Sequence, residues 1–373
     1  MNDGWRWIHR QPRFLEDRWR AEGDRFRVDL GTLGRGVVLA HPEDILTVFR
    51  TPAVRRWKAV FPVIDTGPLP LAEGHAHEGK RRELLRRLRP DGLADGFAAL
   101  RNLAAARAPA GAFSATELAD ELALAASSLM VFGRLTPALG PSVLALLKSG
   151  APAMGQLPDP SGALKRAHEE WLTVARAAVD AEIASGLGEV NALLPGVEGD
   201  ALTLVMVGVE PLAASLVWAL VELPGHEDRV AADDDYRRAF IAEVLRAHPP
   251  FPTIAREFSE PVALDGVVLQ PGEVAFPSPW LSHRHPSAWS RPEAFDPTRM
   301  LAGPPSAWLP FGHGAHGCLG AATAMRQLDA MLAGLLTDRR YDGAKRPKLA
   351  RRVLTFAPAG RVLMHATVLS RGE

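Results

Sequence analysis

From Gly74 to about Ala333 apolar positions recur with a helical period, and Pro/Gly-rich stretches interrupt them. The pattern predicts helices over 75–88, 92–107, 115–131, 141–149, 163–185, 200–223, 234–247 and 320–336. Short β-rich runs predict strands at 26–30, 36–40, 261–264 with 267–269 across Asp265-Gly266, 273–277, and 352–357 with 361–365 across "APAG". The predicted fold is mostly α with small peripheral β-sheets. The stretch 278–317 is proline-rich with little periodicity, which is long for an irregular connection and implies a functional loop.

One of these helices contains its own contradiction. Leu202 to Leu223 is apolar nearly throughout, yet "VMVGVEPLAASL" places Pro211 near its middle. Proline there removes a backbone donor and costs about 3 kcal/mol or more. Gly208, Glu210 and Pro211 therefore mark a helix bent for a purpose.

Composition narrows the class. The chain has 373 residues, is 47% hydrophobic, and carries 43 basic and 43 acidic side chains, so it can bury a large core and offers no bulk attraction for nucleic acid. No linker, low-complexity tract or repeat divides it, so 1–373 is read as one domain. The N-terminus, "MNDGWRWIHRQPRFLEDRWR", is charged and aromatic, unlike a signal peptide or membrane anchor, and a cytoplasmic protein is expected. The single cysteine, Cys318, excludes an internal disulfide and a Cys-rich zinc site.

That cysteine ends "FGHGAHGCLG", where Gly312, Gly314 and Gly317 lead into an Ala-rich helix. The glycines allow the backbone close to a flat ligand, and the helix start favours a thiolate over a thiol. A lone cysteine can also be inert packing. The run, however, resembles the haem-binding loop of the cytochrome P450 family, Phe-Gly-x-Gly-x-His/Arg-x-Cys-x-Gly, at Phe311, Gly312, Gly314, His316, Cys318 and Gly320.

Further family landmarks follow in order. Glu243 and Arg246 match its Glu-x-x-Arg pair; Glu22/Arg25, Glu78/Arg81 and Glu83/Arg86 have the same spacing, and only position selects the first. Arg299 in "RPEAFDPTRM" matches the arginine that joins this pair. "GHAHEGKRR" is similar to Gly-x-x-His-x-x-x-Arg-Arg and sets His77 and Arg81 on one helix face. The resemblance implies a P450-like fold, haem b (iron protoporphyrin IX) with Cys318 as iron ligand, and propionates held by His77, Arg81, Arg256 and His316. It implies substrate-pocket positions at Ile64, Met206, Val209, Thr253, Ile254 and Phe356, and a substrate lid in the middle third, 90 to 200.

The same resemblance places residues 207–211 on the oxygen-binding face, where the family has Ala/Gly-Gly-x-Asp/Glu-Thr. The acid, Glu210, is kept. The alcohol is replaced by Pro211, and losing a positioned proton donor costs roughly 10²–10⁴ in rate. The reading is a soluble, monomeric bacterial-type monooxygenase acting on a small organic, biosynthetic substrate. No nucleotide, flavin or iron–sulfur motif is present, so electrons are expected from a ferredoxin or flavodoxin with its NAD(P)H reductase. Lys80, Arg82, Arg86 and Arg89 could steer that partner, or be a solvated helix face. The alternatives are a peroxide-driven hydroxylase, a rearrangement or dehydration catalyst, and a haem sensor. The family's peroxide-using fatty-acid branch also carries proline here, but after arginine where this chain has Glu210.

Overall fold

The computed structural model describes residues 3–31, 34–56, 74–88, 90–132, 177, 198–264, 266–343, 346–352 and 355–369. The helix expected at 141–149 and, apart from position 177, the one expected at 163–185 lie outside the described residues, as do Ile64 and the side chains of His77, Lys80, Arg89 and Met206.

Five helices make the main core: Ala94–Arg107 (α4), Ala115–Phe132 (α5), Glu198–Glu222 (α6), Asp234–Ala247 (α8) and Ala321–Leu335 (α10). Their ends agree with the sequence pattern to within about two residues. α6 is the central element because it is apolar on every side; Val209, Ala213, Leu216, Val217 and Leu220 are all fully or almost fully buried. The short Glu227–Ala232 (α7) joins α6 to α8. α8 starts at Asp233, whose carboxylate accepts from the amides of Asp235 and Tyr236, satisfying two N–H groups that a helix start leaves over.

A second layer was only partly visible in the sequence. Asp3–Glu22 (α1) is a helix kinked at Arg10 (φ −143°, ψ 35°), two residues before Pro12. Its Trp7, Phe14 and Leu15 pack on a five-stranded sheet. The order in that sheet is β1 (Arg25–Asp29), β2 (Arg35–Leu39), β8 (Val274–Pro277), β5 (Arg256–Phe258) and β3 (Val54–Arg56), with β2 and β8 parallel and the other pairs antiparallel. A single turn of helix, Pro279–Ser282 (α9), follows β8 directly. Pro42–Arg50 (α2) and the hairpin of β6 (Val262–Leu264) and β7 (Val267–Leu269) close the sheet's other face.

The expected hairpin across "APAG" does not form. Instead β10 (Leu349–Arg351) pairs with β11 (Phe356–Pro358), and β12 (Leu363–Val368) lies between β4 (Gly111–Ser114) and β9 (Arg339–Asp342). Met364 and Ala366 of β12 alternate into the main core, and both edges of β12 find partners far away in sequence. A local turn signal cannot compete with two complete ladders.

Candidate functional site

The irregular stretch after β8 is organised from α8. Arg246 donates from Nε and Nη2 to the two oxygens of Glu243 at 2.7 and 2.8 Å, and both side chains are essentially inaccessible to solvent. The remaining donors of Arg246 reach the carbonyls of His283 (2.9 Å), Pro292 (2.8 Å) and Ala294 (3.1 Å). Glu243 also accepts from the amide of Asp296 at 2.9 Å and pairs with Arg299 at 3.2 Å. Of the same-spaced pairs, Glu83 and Arg86 form an exposed surface contact instead.

His283 extends this network to the cysteine loop. Its Nδ1 lies 3.1 Å from the carbonyl of Arg246, and its Nε2 accepts from the amide of Leu309 at 2.8 Å. Those partners require a neutral ring protonated on Nδ1. Burial, reinforced by the charges of Arg246 and Arg284, pushes this histidine down to about 3. Trp308 adds a second tie, donating from its indole to the carbonyl of Ala242 at 2.9 Å. Sequence reasoning missed His283, since "SHRHPS" offers two histidines in a loop and no pattern to choose between them.

The loop itself is a tight turn held by backbone and by arginines. The amide of Cys318 donates to the carbonyl of Phe311 at 2.8 Å, and Phe311 stacks edge-on against Trp308. Gly314 has φ +72°, and a Cβ there would stand 2.3 Å from the carbonyl oxygen of Phe49, so only glycine lets the loop lie on α2. Arg81, on Gly74–Arg87 (α3), donates to the carbonyl of Gly317 at 2.8 Å, and Arg256, on β5, to that of His316 at 3.2 Å. Burial lowers the pKa of Arg81, and the negative charge of Cys318 opposes that shift. Gly320 precedes α10, and the Cys318 side chain is exposed. The structure thus brings Arg81 and Arg256 onto the backbone of the loop that carries His316 and Cys318.

α6 shows how Gly208, Glu210 and Pro211 are used locally. A Cβ on Gly208 would come within 3.0 Å of the Ser127 hydroxyl, so this glycine allows close approach of α5. Pro211 sits inside a helix that continues to Glu222, and it leaves the carbonyl of Val207 without its helical donor. Glu210 is wholly buried and accepts from the amide and hydroxyl of Thr355 at 2.8 and 2.7 Å. Four of the expected pocket positions lie among the described side chains. Val209 is fully buried in the main core, Thr253 accepts a hydrogen bond from Gln11, and Phe356 packs under the Arg351 guanidinium. Ile254 reaches the cysteine loop, 3.5 Å from where a Cβ on Gly312 would lie.

Comparisons with known proteins agree on one family. The cytochrome P450 family model matches residues 197–345, which contain the Glu243–Arg246 helix and the Cys318 loop. A putative cytochrome P450 135B1 of Mycobacterium tuberculosis is 27% identical over 414 aligned positions, covering 95% of this chain and 87% of the relative. A putative cytochrome P450 137 of the same species is 32% identical over 174 positions, 43% of this chain and 37% of that protein. Among solved structures, CYP175A1 of Thermus thermophilus superposes with TM-score 0.82 at 21% identity, covering 96% of this chain and 95% of that one. The retinoic acid-bound cyanobacterial CYP120A1 also gives 0.82, at 18% identity and with 99% and 98% covered. With shared architecture along almost the whole chain and a family match that includes the cysteine loop, the protein is similar to the cytochrome P450 family and has its mostly α fold.

Proposed function

We propose that this P450 is a monooxygenase in which the whole chain, 1–373, forms one haem domain and oxidises a small organic, biosynthetic substrate. Haem b is the cofactor of the family, and the residues present fit it. The exposed sulfur of Cys318 stands on a glycine-rich turn at a helix start, with two guanidiniums, Arg81 and Arg256, now bonded to loop carbonyls on either side. That cluster is the observation that carries the reading, since a thiolate and two carboxylate side arms need cations and few other ligands would. Cys318 takes the iron, and Arg81, Arg256 and His316, with His77, take the propionates. Once bound, the haem supplies the oxidising chemistry, and a thiolate ligand favours O–O cleavage.

The chain's own part is to exclude water, hold the substrate and manage protons. Pro211 has neither an O–H nor an N–H to offer, so the proton comes from a substrate group, an ordered water or Glu210. Electrons come from a separate ferredoxin or flavodoxin system, since the chain has no nucleotide motif. Exposed Arg82 and Arg86 on α3 give such an acidic partner a place to meet. The reading is of a cytoplasmic monomer; no helix among the described residues is long and apolar enough to cross a membrane. Pro211 favours one second reading, a peroxide-driven or non-oxidative catalyst.

Two measurements test this. The reduced, carbon monoxide-bound protein should show a thiolate-type Soret band that Cys318→Ser abolishes; a normal thiolate band in that variant refutes the ligand. Wild-type protein should turn over with a reductase system, and Pro211→Thr should alter the coupling of product to electrons consumed. Turnover by peroxide alone, with none from a competent ferredoxin or flavodoxin, selects the second reading.

A further inference from the structure

The buried acid of α6 does not face the position where the family keeps its alcohol. Residues 210 and 211 stand about 100° apart around a helix. Gly208 turns toward Ser127 of α5, and Glu210, two positions on, turns roughly the opposite way, to the β10–β11 hairpin. There it meets a hydroxyl. Thr355 donates through both Oγ1 and its amide to the same oxygen of Glu210, and neither residue is exposed to solvent.

We infer that Thr355 is the positioning residue of Glu210, and that the acid–alcohol pair which Pro211 interrupts within the helix is rebuilt across the fold with a hydroxyl from 145 residues away. The inference rests on the monooxygenase reading above. Thr355 fixes the direction of the carboxylate and stabilises its charged form, so it sets how readily Glu210 takes up a proton. Half-buried Arg351 on β10 also acts on Glu210 through charge, while its own pKa is pushed down to about 10 by desolvation. Asp120 on α5 and Arg352 satisfy one another at 2.9 and 3.0 Å. The turn that presents Thr355 is closed by its own carbonyl, which accepts from the amide of Arg352 at 2.8 Å.

Infrared difference spectroscopy of the holoprotein across pH reads this directly. The carboxylic acid stretch that disappears in Glu210→Gln belongs to Glu210. Thr355→Val should move its appearance to higher pH by about 1 to 2 units, the size of one lost hydrogen bond to a charged group, and Thr355→Ser should restore it. If Thr355→Val loses haem, Thr355→Ala removes the same hydroxyl without a methyl against the carboxylate and carries the same expectation. A titration unmoved in the hydroxyl-free variants overturns the inference. The expected shift in a protein that no reductase system turns over leaves the inference standing and refutes the monooxygenase reading instead.

Discussion

Replacing His283 with phenylalanine keeps the ring's shape and removes both of its bonds. The carbonyl of Arg246, at the last turn of α8, and the amide of Leu309 then lose the buried partner they share. An orphaned buried group costs about 1–3 kcal/mol, so His283→Phe should destabilise the holoprotein by roughly 2–6 kcal/mol at pH 7. The pH dependence is the sharper part. With a folded pKa near 3 against about 6.5 unfolded, His283 contributes stability that is complete above pH 6.5 and is lost as pH falls toward 3. The slope is about 1.4 kcal/mol per pH unit, or about 2 kcal/mol by pH 5. His248, stacked 3.8 Å over Trp218 and pushed to about 4 by burial against the pull of Glu222, adds a loss of the same sign in wild type and variant alike. The stability gap between wild type and His283→Phe, from urea unfolding followed by the Soret band and circular dichroism, should therefore narrow by about 2 kcal/mol between pH 7 and pH 5. A gap that stays constant refutes the buried neutral histidine.

Two further outcomes follow from the same region. Glu243→Ala or Arg246→Ala strands a buried charge at about 3–5 kcal/mol and should leave little soluble holoprotein; unchanged haem content and melting temperature in either would show that the pair does not organise the loop. Gly314→Ala forces a side chain into a left-handed conformation at about 1–2 kcal/mol and drives it against Phe49, so haem retention should fall, as measured by pyridine haemochrome content.

How much of this was legible depended on whether the cause was local. α6 and α8 were readable because the apolar period and the N-cap at Asp233 are written within a single stretch. The cysteine loop was readable because its glycines are needed by backbone geometry that few other residues satisfy. β12 was misassigned because its partners, at 111–114 and 339–342, are remote, and nothing in "VLMHATV" names them. Thr355 and His283 were invisible for the same reason. Each is an ordinary residue in an irregular stretch, and each matters only through a group that the fold brings to it.

The clamp on the stretch between β8 and the cysteine loop has a consequence for how that stretch tolerates change. Arg246 and Arg299 hold it by the carbonyls of His283, Ser290, Pro292 and Ala294, and Glu243 holds it by the amide of Asp296. Carbonyls belong to every amino acid, so this recognition is blind to side-chain identity at most of the positions it grips. Substitutions at Ser290 or Ala294 can pass with the path of the chain intact, while Glu243, Arg246 and Arg299, with His283 and Trp308, carry the specification. Part of the information for that path is therefore written in a helix that precedes it, which leaves the positions gripped only by their carbonyls open to variation in composition without loss of the stretch's aim at Cys318.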